Sequence, residues 1–209
     1  MSRARVGILI SGGGSNMQAL VRAMQAGAVP GLPALVIANR PDVEGLGRAA
    51  ALGVPAESLD HRAFADRAAF DAALSDRLRA ASVSVVCLAG FMRVLGPAFV
   101  AQWQGRLLNI HPSLLPLFPG RNTHARALQA GMAVHGATVH AVTEALDAGP
   151  ILGQTVVPVK TGDTPQSLAA RLLPAEHRLY PETLARFLRG RRDPLALIDP
   201  EGWDRPSLQ

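Results

Sequence analysis

Short apolar runs alternate along this chain with longer stretches whose apolar residues return every three or four positions. "RVGILI" is the first run; "SGGGSN" ends it, and "MQALVRAMQAG" follows with helical spacing and a glycine stop. The same unit recurs as "ALVIAN" before "VEGLGRAAALG", "VPAESL" before "RAAFDAALSDRLRAA", and "VSVVCLAG" before "VLGPAFVAQW". Each run is short and β-branched, as a strand buried on both faces requires. "RLLNI" then predicts a strand, "THARALQAG" a helix, "HGATVHAV" an alternating strand and "PILGQTVVPV" another, before one long helix from about Thr164 to Arg189. Repeated strand-helix alternation predicts an α/β fold: a doubly wound, mostly parallel sheet with helices on both faces, Rossmann-like in plan. After Gly190 the segment "RRDPLALIDPEGWDRPSLQ" turns rich in proline and charge, so residues 191–209 read as a C-terminal tail behind a domain of residues 1–190.

Composition narrows this picture. A length of 209 residues suits one domain with an extension, at roughly 150 residues per domain. Hydrophobic residues at 48% against 18% charged argue against disorder, and no apolar run approaches the ~20 residues of a membrane helix. Arg3 and Arg5 mimic the charged start of a signal peptide, but the run from Val6 to Ile10 is too short and ends in glycines, so a cytoplasmic location is expected. The single cysteine, Cys87, lies inside an apolar run and reads as a small core residue in a reducing setting. A net charge of +5 favours anionic ligands, yet all of the 21 Lys and Arg residues except Lys160 are arginine, and no basic stripe is interleaved with aromatics. Nucleic acid is therefore not an expected partner, and Lys160 has no evident activating neighbour for Schiff-base chemistry.

In an open parallel sheet, ligands bind beyond the carboxyl ends of the strands, and three loops there carry candidate chemistry. In the first, Gly14, Ser15 and Asn16 join glycines that permit close backbone approach to a helix start whose unpaired amides suit a phosphate. Met17 stands where a dinucleotide fingerprint needs its third glycine, and the P-loop lysine is missing. A monophosphate site is one reading; a tight turn capped by Ser15 or Asn16 is the other. In the second, "LLNIHPSLLP", Asn109 and His111 alternate at a strand end, so both can face one pocket wall. An imidazole can carry a proton and an amide can stabilise an oxyanion, although a core histidine with an Asx turn fits the same residues. In the third, "TEALDAGPI", Asp147 supplies a carboxylate that would favour the charged form of a nearby His111, or else belongs to a plain turn.

Taken in order, "SGGGSN", "LAGFMRVL", "LLNIHPSLLP", "VHGATVH" and "LDAGPI" resemble the glycinamide ribonucleotide transformylases over about residues 4 to 190, and "EHRLYP" from Glu176 is similar to that branch in particular. The wider class of folate-dependent formyltransferases is recognised by "NIHPSLLP" with a later D-x-G-P. The resemblance implies transfer of a formyl group from 10-formyltetrahydrofolate to the amine of 5-phosphoribosyl-glycinamide in purine synthesis, with no metal and no nicotinamide. It implies Asn109, His111 and Asp147 as the catalytic set, Gly14, Ser15 and Asn16 at the phosphate, and Glu176 at the glycinamide end. Arg67, the segment Met92, Arg93, Val94 and Leu95, Asn109, and the loop Thr143, Glu144, Ala145, Leu146 and Asp147 would line the folate side. Leu117 and Arg121 depart from the family pattern, which leaves Asn122 without an assigned contact, and Ala175 with Pro174 departs beside Glu176.

His124, His135, His140 and His177 read as structural, and no spaced motif supports a metal at His111, His135 and His140. Rival activities differ by domain: formylation of methionyl-tRNA calls for a C-terminal RNA-binding domain, and formyltetrahydrofolate hydrolysis for an N-terminal regulatory one, neither expected here. A non-enzymatic sugar-phosphate sensor would leave Asn109, His111 and Asp147 without a task. The expected partners are the two small molecules, with no membrane or nucleic acid, and the chain is a monomer or a homodimer.

Overall fold

The computed structural model describes residues 3–198. Its strands are β1 (Ala4–Ile10), β2 (Gly31–Ala38), β3 (Ala56–Ser58), β4 (Val85–Leu88), β5 (Leu107–His111), β6 (Val134–Ala141), β7 (Ile151–Pro158) and β8 (Leu195–Ile198), and its helices are α1 (Ser15–Gln25), α2 (Glu44–Ala51), α3 (Arg67–Ala80), α4 (Pro97–Gln102), α5 (Thr123–Gln129) and α6 (Pro165–Leu188). The strands form one sheet in the order β3-β2-β1-β4-β5-β6-β7-β8. Only β6 runs against the rest: its ladders with β5 and β7 are antiparallel and every other pairing is parallel.

Side-chain alternation divides the core into two layers. Ile8 and Ile10 face Met17 and Leu20 of α1 and Leu172 and Leu179 of α6. Leu9, between them, faces Phe70 and Leu74 of α3 and Phe99 of α4. Truncating one such residue, Leu74 for example, is expected to cost about 2–5 kcal/mol. The Cys87 thiol is fully buried and pushed up to about 12 by desolvation, which suits an inert core position. Helix α6 starts at a capping box in which Thr164 and Ser167 bond each other's backbone amides, and it runs on through Pro174 and Pro181. Its Tyr180 hydroxyl is shared between the carbonyls of Leu88 and Leu108, each 3.2 Å away, which pins the helix over β4 and β5.

Part of the segment read as a tail is an edge strand, because β8 pairs with β7 from Leu195 to Ile198. Four residues between a proline and charged neighbours carry too little pattern to announce a strand, and the pairing depends on the open edge of β7. Residues 199–209, including Trp203, lie outside the described residues. No described helix is long and apolar enough to cross a membrane.

Candidate active site

The chain leaves β1 towards β2 on one side, while β4 lies on the other, and this reversal opens a crevice at the strand ends. A cleft of about 250 Å³ sits there, between the loop 11–14 and start of α1 on one wall and Ala89, Gly90 and Met92 on the other. Ser11 joins the walls: its N–H donates to Gly90 O at 3.2 Å and its Oγ accepts from Met92 N at 2.8 Å. Gly14 is the residue before α1, with φ 71° in the left-handed region that favours glycine. Ser15 and Asn16 are therefore the first helical residues, and neither caps the helix, contrary to the capped-turn reading. The first-turn amides keep no intrahelical acceptor, which suits an anion. Arg48 adds a cation nearby, donating to Gly13 O at 2.9 Å while pairing with Glu44 at 2.7 Å.

Asn16 turns inward instead. Its Nδ2 donates to Glu176 Oε2 at 2.7 Å, both side chains are buried, and Asn16 Oδ1 has no protein partner. Burial pushes the Glu176 carboxyl above its ordinary range, and the Asn16 amide opposes that shift.

A second cluster lies on the sheet face that α3 and α4 leave uncovered. Leu108 and Ile110 point into the α1 and α6 layer, so Asn109 and His111 point to the opposite face. In the antiparallel register Asn109 stands opposite His140, and His111 opposite Thr138. Asn109 Nδ2 is 3.1 Å from His140 Nε2, while His140 Nδ1 is 3.0 Å from Ala141 O. A carbonyl only accepts, so Nδ1 carries the proton and Nε2 of the neutral ring accepts from Asn109. Burial holds His140 below the usual histidine range, against the opposing pull of the Ala141 carbonyl and the Asp147 charge. The Asn109 amide is thereby oriented.

Asp147 reaches this face by a detour. Because β6 is antiparallel, its exit begins beside the start of β5, where Val142 N–H donates to Leu107 O at 2.8 Å. The loop then returns across the face, with Asp147 at φ 51°, a left-handed conformation that costs roughly 1–2 kcal/mol in an L-residue. Gly149 permits the return, since a Cβ there would fall 1.9 Å from Ala141 O. Asp147 Oδ2 accepts from Gly120 N at 2.8 Å and lies 3.5 Å from His111 Nδ1; Oδ1 lies 3.8 Å from His140 Nε2. His111 Nε2 in turn donates to Phe118 O at 3.0 Å. The His111 and Asp147 side chains are 7% and 8% exposed, so a charge on the ring would be poorly screened from the carboxylate.

Most residues assigned to the folate side lie on two largely exposed segments, Met92 to Leu95 and Thr143 to Leu146. Met92 and Val94 are exposed between buried Phe91 and Leu95, and Arg93 stacks over the Phe70 ring at 4.9 Å. Thr143, Glu144, Ala145 and Leu146 are exposed, as is Arg67 at the start of α3. Of the seven large hydrophobic side chains exposed among the described residues, Met92, Val94 and Leu146 belong to these segments. Leu117 is also exposed, and Asn122 precedes α5 without capping it.

His135 is buried, packs 5.0 Å from the His124 ring, and is driven down to about 4 by desolvation. Among the described residues no three His, Cys, Asp or Glu side chains are grouped to hold a metal ion. Sequence reasoning missed His140, which it read as structural; its signal was the alternation that puts it on the face of Thr138. It also missed the Phe118 carbonyl and Gly120 amide, because backbone groups have no residue signature.

Residues 4–184 match the formyl transferase family. The chain is 45% identical over 184 residues to the phosphoribosylglycinamide formyltransferase of Escherichia coli strain K12, covering 88% of this chain and 87% of that protein. It is 47% identical over 188 residues to the trifunctional purine biosynthetic protein adenosine-3 of Bos taurus, of which it spans 19%. The crystal structure of glycinamide ribonucleotide transformylase 1 from Symbiobacterium toebii superposes with a TM-score of 0.89 at 46% identity, covering 94% of this chain and 95% of that one. With the family matched across almost all of the sheet, and with solved relatives repeating its strand plan, the chain belongs to the formyl transferase family.

Proposed function

We propose that this chain transfers the formyl group of 10-formyltetrahydrofolate to the amine of 5-phosphoribosyl-glycinamide, a step of purine synthesis. The observation that carries the reading is the meeting of Asp147 with His111 at 3.5 Å beside Asn109, in a chain 45% identical to a phosphoribosylglycinamide formyltransferase. Attack by the amine forms a carbon–nitrogen bond and pushes the carbonyl electron pair onto oxygen. Asn109 and protonated His111 donate to that oxyanion, each contact of this kind being worth about 3 kcal/mol. The folate nitrogen then leaves with the electrons of its bond to the formyl carbon and takes a proton, while the attacking nitrogen loses one. His111 is the carrier between them, and such help contributes roughly 100-fold to 10,000-fold.

Asp147 acts through His111. Both ring nitrogens of His111 face acceptors, Phe118 O and Asp147 Oδ2, which fixes the plane of the ring. The 3.5 Å separation is longer than a hydrogen bond of about 2.7–3.2 Å, so Nδ1 is the ring nitrogen that serves the reactants while Nε2 stays on Phe118 O. The backbone at Gly14, Ser15 and Asn16 holds the phosphate, and Glu176 takes the glycinamide end. Met92 to Leu95, Thr143 to Asp147, Asn109 and Arg67 line the folate side. Absorbance of the folate with and without the glycinamide acceptor tests the proposal. Deformylation that requires the acceptor is the expected result, and deformylation that proceeds equally without it identifies a hydrolase instead.

A further inference from the structure

Helix α3 carries a buried carboxylate that the proposed chemistry does not use. Asp71 is 5% exposed; its Oδ2 accepts from Gly96 N at 2.7 Å, and its Oδ1 is buried without a hydrogen-bond partner. An apolar side chain would fill such a place with less desolvation cost, so the carboxylate calls for a reason. Its surroundings supply one. Gly96 ends the loop that follows β4, in which Phe91 and Leu95 are buried while Met92 and Val94 stand exposed. Arg67, Phe70 and Asp71 are spaced along α3 so as to share one face. Phe70 lies under the Arg93 guanidinium, whose Nε is also buried without a partner, and Arg67 Nε comes within 3.5 Å of where a Cβ on Gly96 would stand. The charges of Arg67 and Arg93 both act on Asp71, and with the Gly96 amide they oppose the upward push of burial on its carboxyl.

We infer that Asp71 is a positioning residue for the formyl-donor side: it anchors the 91–96 loop and gathers Arg67 and Arg93, so that Met92 and Val94 present a preset apolar wall to the flat ring of the donor. The inference rests on the proposed function, and it assigns Asp71 no contact with either substrate. A preset wall removes an ordering cost that would otherwise weaken donor binding.

Steady-state kinetics in both substrates, with thermal melts, test this. Asp71→Ala is expected to raise KM for 10-formyltetrahydrofolate about tenfold, the size of one hydrogen bond to a charged group, leaving kcat and the amine KM within about twofold. Asp71→Asn keeps an oxygen for the Gly96 amide and is expected to stay within about threefold of wild type in donor KM. Should the alanine variant not fold, Asp71→Glu, which displaces the carboxylate against the loop, carries the same split, with a donor KM raised at least about threefold. An unchanged donor KM in a folded Ala or Glu variant overturns the role, as does an equal rise in both KM values. Wild-type protein that transfers no formyl group overturns the proposed function and this role with it, whereas transfer with an insensitive donor KM overturns this role alone.

Discussion

The two halves of the site are built from different materials. At the β1/β4 crevice the cradle is backbone: Gly14 in a left-handed turn, first-turn amides of α1, and loop bonds through Ser11 and Arg48. On the β5/β6 face the cluster is side chain: Asn109, His111, His140 and Asp147 come from three stretches of chain and touch at 3.1 to 3.8 Å. An anion needs many N–H dipoles and little residue identity, whereas proton transfer needs particular nitrogens at particular places. The difference implies that single side-chain changes act on turnover in one half and on substrate affinity, through backbone shape, in the other.

Breaking the side-chain half is expected to have the largest effect. His111→Ala should lower kcat roughly 100-fold to 10,000-fold, with KM for the phosphorylated amine nearly unchanged in steady-state assays. Asn109→Ala should lower kcat roughly 100-fold by removing one oxyanion donor. In the backbone half, Gly14→Val should leave kcat in place and raise the amine KM about tenfold, because φ 71° and a Cβ 3.2 Å from Gly45 Cα force the loop to shift. Ser15→Ala, which leaves every amide where it was, should stay within about twofold in both constants.

Acid should weaken the fold through its buried histidines. His135 titrates at about 4 when folded against an ordinary 6.5, so the unfolded chain takes up its proton first. Its stabilising contribution is full above 6.5 and is lost as pH falls through about 4, by up to about 3 kcal/mol. His124, His140 and His177 are shifted the same way by burial. Urea midpoints measured from pH 7 to pH 4 should fall in the wild type and fall less steeply in His135→Gln.

What was readable in the sequence divides along the same line. Helices α3 and α6 stand within a residue or two of their expected bounds, because caps and helical spacing are local. Asn109 and His111 were legible because two positions of one strand share a face by geometry alone. His140 was not, since its place opposite Asn109 depends on an antiparallel register that no local pattern states. The detour of the loop to Asp147, the turn of Asn16 towards Glu176 and the pairing of β8 are likewise tertiary facts. Local rules left Asn16 between a phosphate contact and a cap, and its side-chain amide goes instead to a buried carboxylate on a distant helix.

Turnover of purified Asp147→Asn decides whether the Asp147 carboxylate drives transfer through His111. The variant is expected to melt like the wild type and keep its amine KM, yet to lose kcat by at least about 100-fold. A folded Asp147→Asn protein that turns over at near wild-type rate would contradict that role.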